Sequence, residues 1–126
     1  METGYLLDTN SIIDFSAGRL PAKAHQFIAG IIDDLPQISI INKIELLGFT
    51  RVPTEIVTFT ESVFVINLDD DIVAKTILLR KGNKIKLPDA IIAATALVLN
   101  LTAVTNNIDD FKNIEGLQLL NPYNFS

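Results

Sequence analysis

Five short apolar runs, separated by segments with helical spacing or turn signals, leave this chain few ways to fold. They are Tyr5–Asp8, Gln37–Ile41, Val63–Asn67, Leu101–Thr105 and Leu117–Leu120. Each is too short for a helix and reads as a buried strand. Asn10–Phe15 reads as a helical turn capped by Asn10, broken by Gly18 and Pro21. Lys23–Leu35 has apolar residues at helical spacing and stops at Pro36. A helix bearing Ile44, Glu45, Leu46 and Leu47 follows the second run, and Pro53 begins another. The stretch 68–83 has acids in its first turn and bases in its last, as a helix dipole favours. Pro88 opens a helix over 88–100, where proline fits best, and Ile108–Phe111 is a turn. Strands alternating with helices predict an α/β fold, a three-layer α/β/α sandwich around a short, mainly parallel sheet.

The 126 residues suffice for one core, so a single domain over 1–126 is expected. The longest apolar stretch, AIIAATALVLNL (90–101), falls short of the roughly 20 residues a bilayer requires. METGYLLD lacks the basic region and apolar stretch of a signal peptide, so a cytoplasmic protein without a membrane partner is expected. There is no cysteine, which excludes disulfides, thiolate metal sites and a cysteine nucleophile. The net charge of −5 is unlike that of proteins that bind nucleic acid by electrostatics alone, which are usually basic. Local concentration is still possible: four of the ten Lys and Arg lie in RKGNKIK, as Arg80, Lys81, Lys84 and Lys86.

Ligands of parallel sheets gather at the carboxyl ends of the strands, and acids stand at those places here. Asp8 ends the first strand, Glu45 lies just after the second in INKIELLGF, and Asp89 opens the most apolar helix in KLPDAIIAATAL. Asp109 and Asp110 follow the fourth strand in VTNNIDDF. Carboxylates brought together repel, so one keeps a proton or a cation sits among them. Oxygen ligands without His or Cys favour Mg²⁺ or Mn²⁺ over zinc. A site of acids without an acyl-transfer nucleophile suits metal-assisted hydrolysis of a phosphate ester. Plainer roles compete. Asp8 could cap the following helix, Asp89 could favour its helix dipole, and Asp110 could cap a turn. The triplet Asp69–Asp71 is read as a helix start, and His25, in a polar mid-helix setting, as outside the chemistry. The basic run could be a solvated helix end.

Taken in order, LLDTNSIID, NKIELLG, LPDAIIAATAL and VTNNIDDF resemble the PIN domain family, most closely the VapC toxins of toxin–antitoxin pairs. The spacing fits as well: 37 residues from Asp8 to Glu45, 44 to Asp89 and 21 to Asp110. The resemblance implies a PIN-like fold and an endoribonuclease dependent on Mg²⁺ or Mn²⁺. It implies that Asp8, Glu45, Asp89 and Asp110 are the catalytic, metal-holding acids, with Asn10, Thr105 and Asn107 as polar support. Cleavage would leave 5′-phosphate and 3′-hydroxyl ends. Asn106 stands where many relatives carry arginine, which removes one phosphate contact. Lys84 and Lys86, just before Asp89, are expected to touch RNA. The partners implied are an RNA substrate, a VapB-like antitoxin and a second copy of the chain. Amphipathic helices 23–35 and 53–64, with Phe27, Ile31, Ile56, Phe59 and Phe64, are candidates for the antitoxin groove or for ordinary core.

Other readings fit less well. A phosphatase of the type with an aspartate after its first strand needs a second acid where this chain has Asn10. A signalling receiver needs paired acids and a late lysine that the sequence lacks. A catalytically inactive PIN fold, used only to bind protein or RNA, is the alternative from a different class.

Overall fold

The computed structural model describes residues 4–124. Five three-residue strands form one sheet: β1 (Tyr5–Leu7), β2 (Gln37–Ser39), β3 (Phe64–Ile66), β4 (Thr102–Val104) and β5 (Gln118–Leu120). The order is β3-β2-β1-β4-β5, and every neighbouring pair is parallel. Seven α-helices connect and cover the strands: α1 (Thr9–Ser16), α2 (Ala22–Asp33), α3 (Ile40–Leu47), α4 (Thr54–Ser62), α5 (Asp70–Gly82), α6 (Leu87–Leu99) and α7 (Ile108–Phe111). A 3₁₀ turn, Pro122–Asn124, follows β5. Among the described residues no helix is long and apolar enough to cross a membrane.

The three layers follow from the two-residue period of the strands. Leu6 and Ala103 enter one core with Ile72 and Leu79 of α5 and Ile92, Ala93 and Ala96 of α6. Leu7, Ile38 and Val104 enter the other with Ile12 of α1, Ile28 of α2, Leu46 of α3 and Ile56 of α4. Both faces of the sheet are covered, which is why its strands read as apolar runs rather than alternating ones. Seven consecutive residues of α6, Ala90–Ala96, are buried, so the most apolar stretch of the sequence is a core helix packed on α5. Asn100 ends it in the left-handed conformation (φ 54°), which a short polar side chain tolerates.

Two helix starts differ from the sequence reading. The cap of α1 is Asp8, whose carboxylate accepts from the Thr9 N–H, and Asn10 lies inside the helix. The second strand stops at Ser39 rather than Ile41. Ser39 accepts from the Ile41 N–H while the Asn42 side chain accepts from the Ser39 N–H at 2.8 Å, a capping box that starts α3 at once. Asp69 caps α5 through the Ile72 N–H at 2.8 Å, so the acidic triplet is a helix start.

The strand order sets the position of the site. The chain steps outward from β1 to β3, then crosses to lay β4 on the other side of β1. A parallel sheet opens a crevice at the carboxyl ends of the strands where its order reverses. Leu7 pairs with Val104 across that point, so Asp8 and Thr105 leave the sheet side by side.

Candidate active site

Asp8 is 5% exposed, and a buried charge is costly unless hydrogen-bonded. Four donors meet it. Oδ1 accepts from the Thr9 N–H (2.9 Å) and Asn42 Nδ2 (3.2 Å). Oδ2 accepts from Thr105 Oγ1 (2.8 Å) and Asn10 Nδ2 (3.2 Å). An ionised carboxylate offers about four acceptor positions, so the set is complete. The donors are themselves held. Asn10 Nδ2 also donates to Thr105 Oγ1 (3.0 Å), and Asn10 Oδ1 accepts from the Asn106 N–H (3.0 Å). Thr105 Oγ1 accepts from the Asn107 N–H (3.0 Å). The Asn107 side chain is exposed and joins the network through its backbone alone.

Glu45 is reached from the same helix start. Thr9 Oγ1 donates to Glu45 Oε1 at 2.7 Å, and Asn42 Nδ2 donates to Thr9 Oγ1 at 3.1 Å. Glu45 lies on the exposed face of α3 with Ile44 and Leu47, while Leu46 points into the core. Its charge is therefore met by solvent although its neighbours in sequence are apolar.

Asp89 is half-buried in the first turn of α6. Burial pushes its carboxyl up to about 6, and the negative charges of Asp110, Asp8 and Glu45 add to the effect, with only Lys86 opposing. The charges of the other three predicted acids thus all reach Asp89 at the mouth of the crevice. Asp110 is exposed in the first turn of α7, its N–H bonded to the Asn107 carbonyl (3.2 Å). Its neighbour Asp109 points to solvent beside Lys112. Lys84 and Lys86 line a pocket of about 230 Å³ with Asp89, Asp110 and Asn113.

The donor chemistry, carboxylates and amide or hydroxyl oxygens without thiolate, fits a hard divalent cation. As placed, no group of three or more acidic or His side chains among the described residues is arranged to hold an ion together. The two longest bonds to Asp8, from Asn10 and Asn42 at 3.2 Å, yield most readily to a competing ligand.

Several residues outside the sequence reading prove central. Asn42 is completely buried and links Asp8, Thr9 and the Ser39 N–H. The S-x-x-N spacing of its capping box was the available signal, but its contact with Asp8 spans 34 residues. Thr9 bridges Asp8 and Glu45. Asp14 of α1 gathers the Tyr123 hydroxyl (2.8 Å), Asn106 Nδ2 (3.4 Å) and Arg19 (3.4 Å). Donating to Asp14 raises the pKa of Tyr123.

A second concavity, about 690 Å³, lies between α1, α2 and α4 and is lined by Ile12, Phe15, Ile32, Ile56 and Phe59 among others. Only Ile56 and Phe59 of the predicted groove residues line it. Ile31 is in the core and Phe27 packs edge-on against Tyr5 at 5.3 Å. α4 ends at Ser62 rather than 64, because Phe64 belongs to β3, where it is 64% exposed. His25 also lines this concavity, stacked on Phe15 with ring centroids 4.3 Å apart, and is outside the acid network.

The PIN domain family profile matches residues 5–117. No curated protein matches the chain in sequence. Among solved structures, a toxin–antitoxin complex from Klebsiella pneumoniae is similar at 30% identity and a TM-score of 0.77, covering 97% of this chain and 100% of the matched one. VapBC2 from Rickettsia felis, bound to a DNA fragment from their promoter, is similar at 26% identity and 0.73, covering 93% and 97%. VapBC-1 from nontypeable Haemophilus influenzae is similar at 30% identity and 0.70, covering 94% and 97%.

Proposed function

The chain belongs to the PIN domain family, and from that premise we propose that it is a metal-dependent endoribonuclease, the toxin of a VapBC-type pair acting in the cytoplasm. One observation carries the reading. At the crevice where the strand order reverses, Asp89 is close enough to Asp110, Asp8 and Glu45 for all three charges to act on its carboxyl, which burial also raises.

Asp8, Glu45, Asp89 and Asp110 would hold Mg²⁺ or Mn²⁺. When bound, such an ion supplies Lewis acidity toward a phosphodiester oxygen and offsets charge that builds up as water attacks. The residues of the chain prepare the site for this. Thr105 and the Thr9 N–H hold Asp8 through its shorter bonds, while the longer ones from Asn10 and Asn42 would give way to the ion. Thr9 sets Glu45 relative to Asp8. The Asn107 N–H holds the Thr105 hydroxyl. Lys84 and Lys86 counter the repulsion between the acids and an RNA backbone.

The partner side of the proposal rests on the solved relatives, which are toxin–antitoxin complexes. A VapB-like antitoxin would find an apolar surface in the groove between α1, α2 and α4. Exposed Val73, Ile77 and Leu78 of α5 and Ile44 and Leu47 of α3 supply apolar surface for a homodimer.

The test is cleavage of a structured RNA by purified, antitoxin-free protein in Mn²⁺ or Mg²⁺ and in EDTA. Cutting that needs the metal and vanishes in Asp8→Asn, with an unchanged circular dichroism spectrum, supports the nuclease. No cutting in either metal overturns it in favour of a PIN fold that only binds.

A further inference from the structure

The pocket beside Asp89 sets two lysines and Asn113 next to three carboxylates, Asp89, Asp109 and Asp110. Its walls differ in kind. Lys84 and Lys86 bring two exposed ammonium groups, and no ion pair or hydrogen bond within the described residues occupies either. Asp89 and Asp110 belong both to this lining and to the set of four acids. Half-buried Ile85 offers an apolar surface between the lysines. In the turn after α7, the exposed Asn113 carboxamide also lines the pocket, has no partner among the described residues and offers both donors and an acceptor.

Each element of a nucleotide has a counterpart here. A phosphate needs a cation, a base face needs apolar contact, and a base edge needs a group that can both donate and accept. An amide meets the last need, and its donor–acceptor pattern discriminates between bases. The volume of about 230 Å³ admits one base with part of its sugar and not a duplex, in keeping with sequence reading on unpaired RNA. Because the pocket shares Asp89 and Asp110 with the acid set, its occupant is the nucleotide next to the scissile phosphate.

Resting on the nuclease reading above, we propose that this pocket takes one unpaired ribonucleotide flanking the cleaved bond, with Lys84 and Lys86 on its phosphate and Asn113 reading its base edge. Asn113 is thereby the residue that sets base preference next to the cut.

The probe is a set of four fluorescein-labelled homohexaribonucleotides. Their binding is followed by anisotropy in EDTA, where no metal-dependent cutting occurs. Asn113 is exposed, so Asn113→Ala is expected to fold normally. The full protein should prefer one base, and Asn113→Ala should weaken that oligonucleotide by about tenfold while the other three stay within about twofold. Asn113→Asp, which loses the donors, should change the order of preference. Lys84→Ala should weaken all four alike and reduce the salt dependence. Equal affinity for all four, no binding to any, or an Asn113→Ala effect spread evenly over the set overturns the proposal. Metal-dependent RNA cleavage is measured in parallel and fails separately. Cleavage with an unmoved base preference removes the subsite and keeps the nuclease. A preference that depends on Asn113 without cleavage removes the nuclease, and with it the place beside a cut, and leaves a base-selective pocket.

Discussion

Asp8 and Asp89 are the same functional group at the mouth of one crevice, held by opposite means. Asp8 is buried and met by four hydrogen-bond donors from α1, α3 and the end of β4. Asp89 is half-buried with no side-chain hydrogen bond among the described residues, and like charges surround it. Hydrogen bonding compensates for burial at the first position, while at the second the carboxyl shifts toward its neutral form. The β1–α1 side of the site is therefore built into the fold. The α6–α7 side is set by charge and is open to whatever binds there.

The comparison can be broken most decisively at Asp8. Asp8→Ala removes a helix cap and strands the buried donors of Asn42 and Thr105. It should cost about 3 kcal/mol in urea unfolding, and a loss below about 1 kcal/mol would mean that the network is slack. Asn42→Ala tests the same side one step out. It loses its bonds to Asp8, Thr9 and the Ser39 N–H, so about 2 kcal/mol should go. If the polar network also serves metal binding, Mn²⁺ affinity by calorimetry should fall about tenfold as well.

At Asp89 the sign reverses. The carboxyl takes its proton at about 6 in the folded protein and near 3.8 when unfolded. Between those values the folded state holds the proton that the unfolded chain has released. Stability from this group is thus present at low pH and lost as pH rises through about 6. In the metal-free protein Asp89→Asn should raise stability at pH 7.5 by up to about 1 kcal/mol, discounted for exposure. That is roughly 4 °C in Tm. The gain should vanish at pH 4, and an equal gain at both values would refute the charge account. The smallest effect belongs to the outer wall: Lys84→Ala with Lys86→Ala should leave Tm within about 1 °C. It should lower the salt slope of RNA binding by about 1.4, and an unchanged slope would return the run to a solvated helix end.

Much of the fold could be read from local patterns. Apolar runs such as YLL and LTAV report strands of the buried sheet, and Pro88 and Asp69 mark helix starts through steric and capping rules acting over one turn. The four acids could be named because each follows or opens such an element. The carboxylate of Asp8, its actual cap, had to be distinguished from Asn10, and two residues of spacing did not suffice to do so. Asn42 and Asp14 were invisible as site residues, since their partners lie 34 residues away for the one and up to 109 for the other.

The sequence by itself determined which segments are strands and helices, and that carboxylates stand at their ends, because backbone sterics and side-chain period act locally. Only the tertiary structure decided that β4 lies beside β1. That choice carries Thr105 across 97 residues to Asp8 and makes a satisfied carboxylate of a buried charge. It also decided that α6 brings Asp89 to the same crevice, where desolvation and three other acids lift its pKa. Strand pairing is fixed by the burial of both sheet faces at once, a property of the whole core that no local window contains.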